Sequence, residues 1–110
     1  MIALSVYLTP KTGKAEELES AIRDRWVKAM SEQPGFLRAA TLKPFADDEL
    51  AKLEAVKPDS AYEVVSYWRS EEERAAWVAR PIHDEVFQFV MDAAESLTYT
   101  LQTVEQDWSM

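Results

Sequence analysis

The sequence predicts an α+β domain in which a four-stranded antiparallel sheet carries its helices on one face. Three observations lead there. Segments with strand patterning alternate with helical segments in the order strand, helix, strand, strand, helix pair, strand. A length of 110 residues with 47% hydrophobic content suits one core rather than two. The only two glycines, Gly13 and Gly35, fall at the ends of the first helical segment, so boundaries and periodicity agree.

Ile2 to Leu8 alternates Leu4, Val6 and Leu8 with Ala3, Ser5 and Tyr7, a strand whose second face is also largely apolar. Thr9-Pro10 stops its ladder, because proline has no amide hydrogen to donate. From about Lys14 to Glu32, Ala15, Leu18, Ile22, Trp26, Ala29 and Met30 recur at helical spacing opposite a charged face, which predicts one long helix. Glu16 and Glu17 complement its dipole, and Pro34-Gly35 ends it.

Phe36 to Lys43 reads as the second strand. A long acidic connection follows over residues 45–60, in which Leu50, Leu53 and Val56 could face one side of a short helix opened by Asp47 and Asp48. It reads as an insertion covering an edge. Ala61 to Arg69, with Tyr62, Val64, Val65, Tyr67 and Trp68, predicts a central strand. Ser70 and Glu73 have capping-box spacing, so a helix begins there and turns Trp77 and Val78 inward. Pro81 interrupts that helix and opens another, presenting Ile82, Val86, Phe89, Val90, Ala93 and Leu97. Leu97 to Val104 alternates as the final strand.

This order is that of the ferredoxin-like split β-α-β arrangement, spread over residues 1–110 as one domain. Helices on one face leave the other to water or a partner. Strands one and three carry apolar side chains on both faces, so we expect a homodimer that closes its open sheet faces into an α/β barrel.

Charge and composition remove several functions. Twelve Lys and Arg against 20 Asp and Glu give a formal charge of −8, which repels nucleic-acid backbones and anionic membrane surfaces. No apolar run approaches the ~20 residues of a membrane span, and no basic-then-apolar leader opens the chain, so a cytoplasmic protein is expected. Without cysteine there is no disulfide, thiolate cluster or thiol nucleophile, and the lone His83 cannot build a multi-histidine metal site. Phosphate cradles and nucleophile elbows need glycines this chain lacks. Glu71, Glu72 and Glu73 suit a solvated helix start, and Asp47, Asp48 and Glu49 do the same without calcium-loop spacing.

Tyr62-Glu63, Trp68-Arg69-Ser70-Glu71-Glu72, Ala76-Trp77 and Pro81-Ile82-His83 together resemble the strand-to-helix signature of the antibiotic biosynthesis monooxygenase family, a branch of the dimeric α/β-barrel proteins. The resemblance extends over almost the whole chain. It implies a monooxygenase that needs neither cofactor nor metal and lets a deprotonated phenolic, quinol-like or polycyclic aromatic molecule react with molecular oxygen in a dry aromatic pocket. Family members also include haem-degrading enzymes and proteins without assigned activity, so membership alone does not fix the reaction.

On that resemblance His83 is the candidate catalytic base, because imidazole is the side chain that ordinarily titrates near neutrality. The alternative is a half-exposed histidine in the first turn of a helix. Trp77 and Trp68 are candidate aromatic walls, or core residues. Trp26 reads as core or interface. The family often places an asparagine on the first strand, and this chain has none, which leaves Ser5, Tyr7, Tyr67, Ser66 or Arg38 as substitutes for holding the substrate. Haem ligation would require an imidazole about one turn beyond His83, near Phe87. Two alternatives to the oxygenase therefore stay open: a non-catalytic dimeric barrel that binds a small hydrophobic ligand, and a haem-degrading oxygenase.

Overall fold

The computed structural model describes residues 1–110. Strand β1 (Ile2–Pro10) leads into helix α1 (Ala15–Ala21), which passes through a π-helical turn (Ile22–Trp26) into α2 (Val27–Met30). Strand β2 (Phe36–Leu42), helix α3 (Asp47–Lys52) and strand β3 (Tyr62–Trp68) follow. Helices α4 (Glu71–Val78) and α5 (Pro81–Ala93) and strand β4 (Ala94–Thr103) complete the chain. The strands form one antiparallel sheet in the order β2-β3-β1-β4, the ferredoxin-like arrangement. No helix is long and apolar enough to cross a membrane.

The β1–β3 register sorts the sheet into two faces. Ile2, Leu4, Val6 and Leu8 lie opposite Trp68, Ser66, Val64 and Tyr62, and this set meets the helices. Ala3, Ser5 and Tyr7 lie opposite Tyr67, Val65 and Glu63 on the other face, which no helix covers. Leu18, Ile22, Trp26 and Met30 from the first helical segment, Trp77 from α4, and Val86, Val90 and Ala93 from α5 close the core.

The first helical segment is not the single regular helix that its spacing predicts. Its core residues Leu18, Ile22, Trp26 and Met30 recur every four positions. In an α-helix each such step advances about 40°, so the fourth residue would stray by roughly 120° from the first. The π turn takes up that drift and keeps Trp26 and Met30 on the core face.

Three further expectations are corrected. Val78, Phe89 and Ile82 do not point into the core: all three are exposed, and Arg25 stacks over the Phe89 ring at 4.3 Å. Phe87 is the half-buried aromatic of α5 instead. Strand β4 starts at Ala94, three residues before the predicted boundary, because its pairing with β1 captures the end of the helical pattern. Helix α3 forms as expected from Asp47 and Asp48 but buries no side chain, and Leu53 and Val56 beyond it are exposed.

Ser70 caps α4 as its spacing predicts, accepting a hydrogen bond from the Glu73 amide at 3.2 Å. Beside it the chain turns at Gly35 with φ +86°, and a Cβ there would sit 2.6 Å from the Glu73 Cβ. Both backbone angle and close approach therefore demand glycine. The Gly35 carbonyl accepts from the Arg69 amide at 2.8 Å, tying the entrance of β2 to the β3–α4 junction.

Candidate functional site

On the helical side, the capped start of α4 builds the first part of the site. Glu71 receives both Arg74 Nε and Nη2 at 2.6 Å. The hydrogen bond from Arg74 holds the Glu71 carboxyl below its ordinary range, and the bond to Glu71 raises the guanidinium in turn. The Arg74 side chain is only 15% exposed, and the charge of an ionised Tyr99, on the helix-facing side of β4, adds slightly to the rise. Trp77 stands one turn further along the same face of α4.

From Trp77 a row of rings runs inward. Its ring centroid lies 5.1 Å from the His83 imidazole in an edge contact, and His83 stacks on Phe87 at 5.4 Å with 22° between planes. Phe87 meets Trp26 edge-on at 5.1 Å. Pro81 starts α5 immediately before this row, and the His83 amide donates to the Arg80 carbonyl, which fixes the first turn. His83 Nδ1 lies 3.2 Å from Asp84 Oδ1. With Nδ1–H donating there, Nε2 is left as the acceptor nitrogen.

At the inner end of the row, Trp26 is 2% exposed and its indole N–H has no hydrogen-bond partner. Burying such a donor unsatisfied costs about 1–3 kcal/mol. Tyr99 and Leu101 of β4 lie on the helix-facing side of the sheet but are exposed, so the helical layer leaves that strip of β4 uncovered.

The structure divides the predicted site residues between two faces. It brings His83 and Trp77 together. Ser5, Tyr7, Tyr67 and Arg38 lie on the opposite face of the sheet, where Arg38 sits 5.0 Å above the Tyr67 ring, and they cannot complete a pocket around His83. Trp68 and Ser66 are fully buried core partners: Trp68 Nε1 donates to Ser66 Oγ at 3.0 Å, and Phe36 meets the Trp68 ring edge-on at 5.7 Å. Trp68 thus lines no accessible surface. Phe87 and Arg74 join the site without having been singled out in the sequence.

The uncovered face has a cleft of its own. Tyr7, Thr98 and Glu63 at the sheet end, with Lys43, Pro58 and Asp59 from the flanks of the 45–60 insertion, border a space of about 620 Å³. This cleft does not reach His83. Nor do two smaller clefts of about 410 and 450 Å³. No group of three or more His, Asp or Glu side chains is placed to hold a metal ion. The position one turn beyond His83, where a haem ligand would need an imidazole, carries Phe87, a ring without a ligand atom that stacks on His83 at 5.4 Å, so the residues do not fit an axial haem ligand.

The sequence profile of the antibiotic biosynthesis monooxygenase family matches residues 1–88. The chain belongs to that family. Its fold is similar to that of SnoaB, a cofactor-independent oxygenase from Streptomyces nogalater, with TM-score 0.74 and 18% identity over 96% of this chain and 94% of that one. A candidate antibiotic biosynthesis monooxygenase from Deinococcus radiodurans superposes with TM-score 0.76 at 12% identity, covering 100% and 98% of the two chains. A dimeric ferredoxin-like protein of unknown function from Thermobifida fusca gives 0.68 at 11% identity, covering 94% and 90%. No curated protein matches the sequence significantly. At these identities the structures establish the fold that the antibiotic biosynthesis monooxygenase family member shares with them, and its chemistry has to be argued from its own side chains.

Proposed function

We propose that this protein is a monooxygenase of a phenolic or quinol-like aromatic molecule, working without a cofactor at the row formed by Trp77, His83 and Phe87. The observation that carries the reading is the position of His83. A proton acceptor is enclosed by two aromatic side chains and oriented through Nδ1 by Asp84, and one of those side chains, Trp77, stands one helical turn from the largely buried Arg74. The exposed strip of Tyr99 and Leu101 supplies an apolar floor against which a planar ring can settle.

The chemistry follows from those groups. His83 Nε2 takes the phenolic proton, and Arg74 favours the resulting anion in a poorly hydrated setting. The electron-rich ring then reduces oxygen: one oxygen atom enters at the ring carbon para to the phenolate, which becomes a quinone carbonyl, and the other leaves as water with that carbon's hydrogen and the phenolic proton returned by His83. The substrate supplies all four electrons, so the protein's share is binding, deprotonation and exclusion of water.

Self-association belongs to the same reading. The uncovered sheet face presents Val65, Tyr67, Ala40 and Leu42, and a second copy covering it would form a two-sheet barrel. The dimeric Thermobifida fusca protein with this fold supports the arrangement.

Oxygen uptake with a panel of hydroquinones and polycyclic phenols tests the oxygenase. We expect His83→Ala to lower kcat/KM about 10²-fold and Trp77→Phe chiefly to raise KM. A second reading is favoured by one feature, the close mutual packing of the four rings: a non-catalytic protein that binds a small hydrophobic ligand. Ligand binding without oxygen uptake across the panel would select it.

A further inference from the structure

Trp26 stands out among the residues the proposed chemistry does not use. Its indole is enclosed, its N–H is the buried donor without a partner, and its ring contacts Phe87, which in turn stacks on His83. The π-helical turn that ends at Trp26 is what keeps this indole on the core face. A tryptophan used only for packing would satisfy that role better as phenylalanine or leucine, which bury no polar group. An orphaned donor at the end of an aromatic row has instead the chemistry of a group awaiting an acceptor.

Resting on the aromatic-substrate reading above, we infer that Trp26 is a substrate-positioning residue whose indole N–H donates to an oxygen atom carried on the ligand's ring. A phenolate or quinone oxygen supplies the missing acceptor, whereas an unsubstituted hydrocarbon of the same shape leaves the donor unsatisfied. Trp26 thereby selects oxygenated rings and fixes which edge of the ring faces His83. Phe87, half-buried and lying between the two, is the side chain that must shift to admit the ligand.

The test uses the full chain, with 1-naphthol under argon and naphthalene as probes measured by equilibrium dialysis. Two variants remove the donor: Trp26→Phe, and replacement of Trp26 by benzothienylalanine, which exchanges the N–H for sulfur while keeping the ring shape. We expect both to weaken 1-naphthol binding roughly tenfold while naphthalene binding changes less than about twofold. The benzothienyl protein should unfold at the same temperature as wild type or higher, since no buried donor is left unpaired. Unchanged 1-naphthol affinity in a folded benzothienyl protein overturns the role of Trp26 and leaves the aromatic-ligand reading intact. Failure of the wild-type protein to bind either probe overturns both.

Discussion

The two faces of the sheet are built from the same strands and differ in almost every other respect. On the helical face Leu8, Val64 and Trp68 have essentially no exposed surface, and their polar neighbour Ser66 is satisfied by the Trp68 indole. On the other face Arg38, Leu42, Thr98 and Thr100 are exposed, and a cation stacked on Tyr67 takes the place of a helix. One face is finished and the other is not. Stability and the proposed chemistry therefore belong to the first face, and the proposed association belongs to the second.

The largest effect should come from the finished face. Trp68→Ala removes a fully buried ring and leaves Ser66 and Phe36 beside a void, and we expect a loss of about 3–5 kcal/mol in denaturant unfolding. A loss below about 1 kcal/mol would mean that this face is loosely packed around Trp68. On the open face, Val65→Asp places a charge between Ser5 and Ala40 at the centre of the proposed interface. It should weaken dimerisation about 100-fold in sedimentation equilibrium while far-UV circular dichroism stays unchanged. A variant that unfolds instead would show that the two faces are not separable.

A smaller effect is expected at the junction that positions the site. Ser70→Ala removes the cap on the Glu73 amide and should cost about 1 kcal/mol. Because Arg74 and Trp77 follow on the same helix, kcat/KM should fall with it, and a stability loss without that fall would detach α4 from the site.

The smallest effect is electrostatic. Hydrogen bonds from Arg74 to Glu71, from Arg69 to Glu73 and from Arg23 to Asp24 hold all three carboxyls below their ordinary values. A carboxyl whose folded pKa is depressed contributes fully above its unfolded value, 4.5 for glutamate, and that contribution is lost as pH falls through the folded value. Stability should therefore be flat with respect to these groups from pH 7 to about 5 and decline below that. Glu71→Gln should make the acid decline shallower, and an unchanged acid limb would remove Glu71 from it.

Much of the architecture was legible because its signals are local and redundant. Period-two alternation in β1 and β3, the Ser70–Glu73 cap and the turn at Gly35 each mark an element independently. The π turn was not legible, since a spacing of four suits either a drifting α-helix or a corrected one. The choice of Phe87 over Phe89 depends on how α5 meets Trp26, a tertiary contact that periodicity does not encode.

Half of the candidate site's geometry was legible. His83 and Trp77 do meet. The separation of Ser5, Tyr7 and Tyr67 from them could have been read by parity, because Leu4, Val6 and Leu8 face the helices and so do Ser66 and Trp68. Arg38 escapes that rule: the register slips between Phe36 and Arg38, so two residues of the same parity reach opposite faces. Arg74 had a signal, its placement between Glu71 and Trp77 at spacings of three, whose meaning depends on the burial that only the folded chain supplies.

A crystal structure with 1-naphthol bound under argon would show which face of the sheet holds the aromatic ligand. We expect the ring on the helical side, against Trp77 and His83, with its oxygen within hydrogen-bond distance of a protein donor. A ring seated instead in the cleft between Tyr7 and Lys43 on the opposite face, with the Trp77–His83–Phe87 row undisturbed, would contradict that placement.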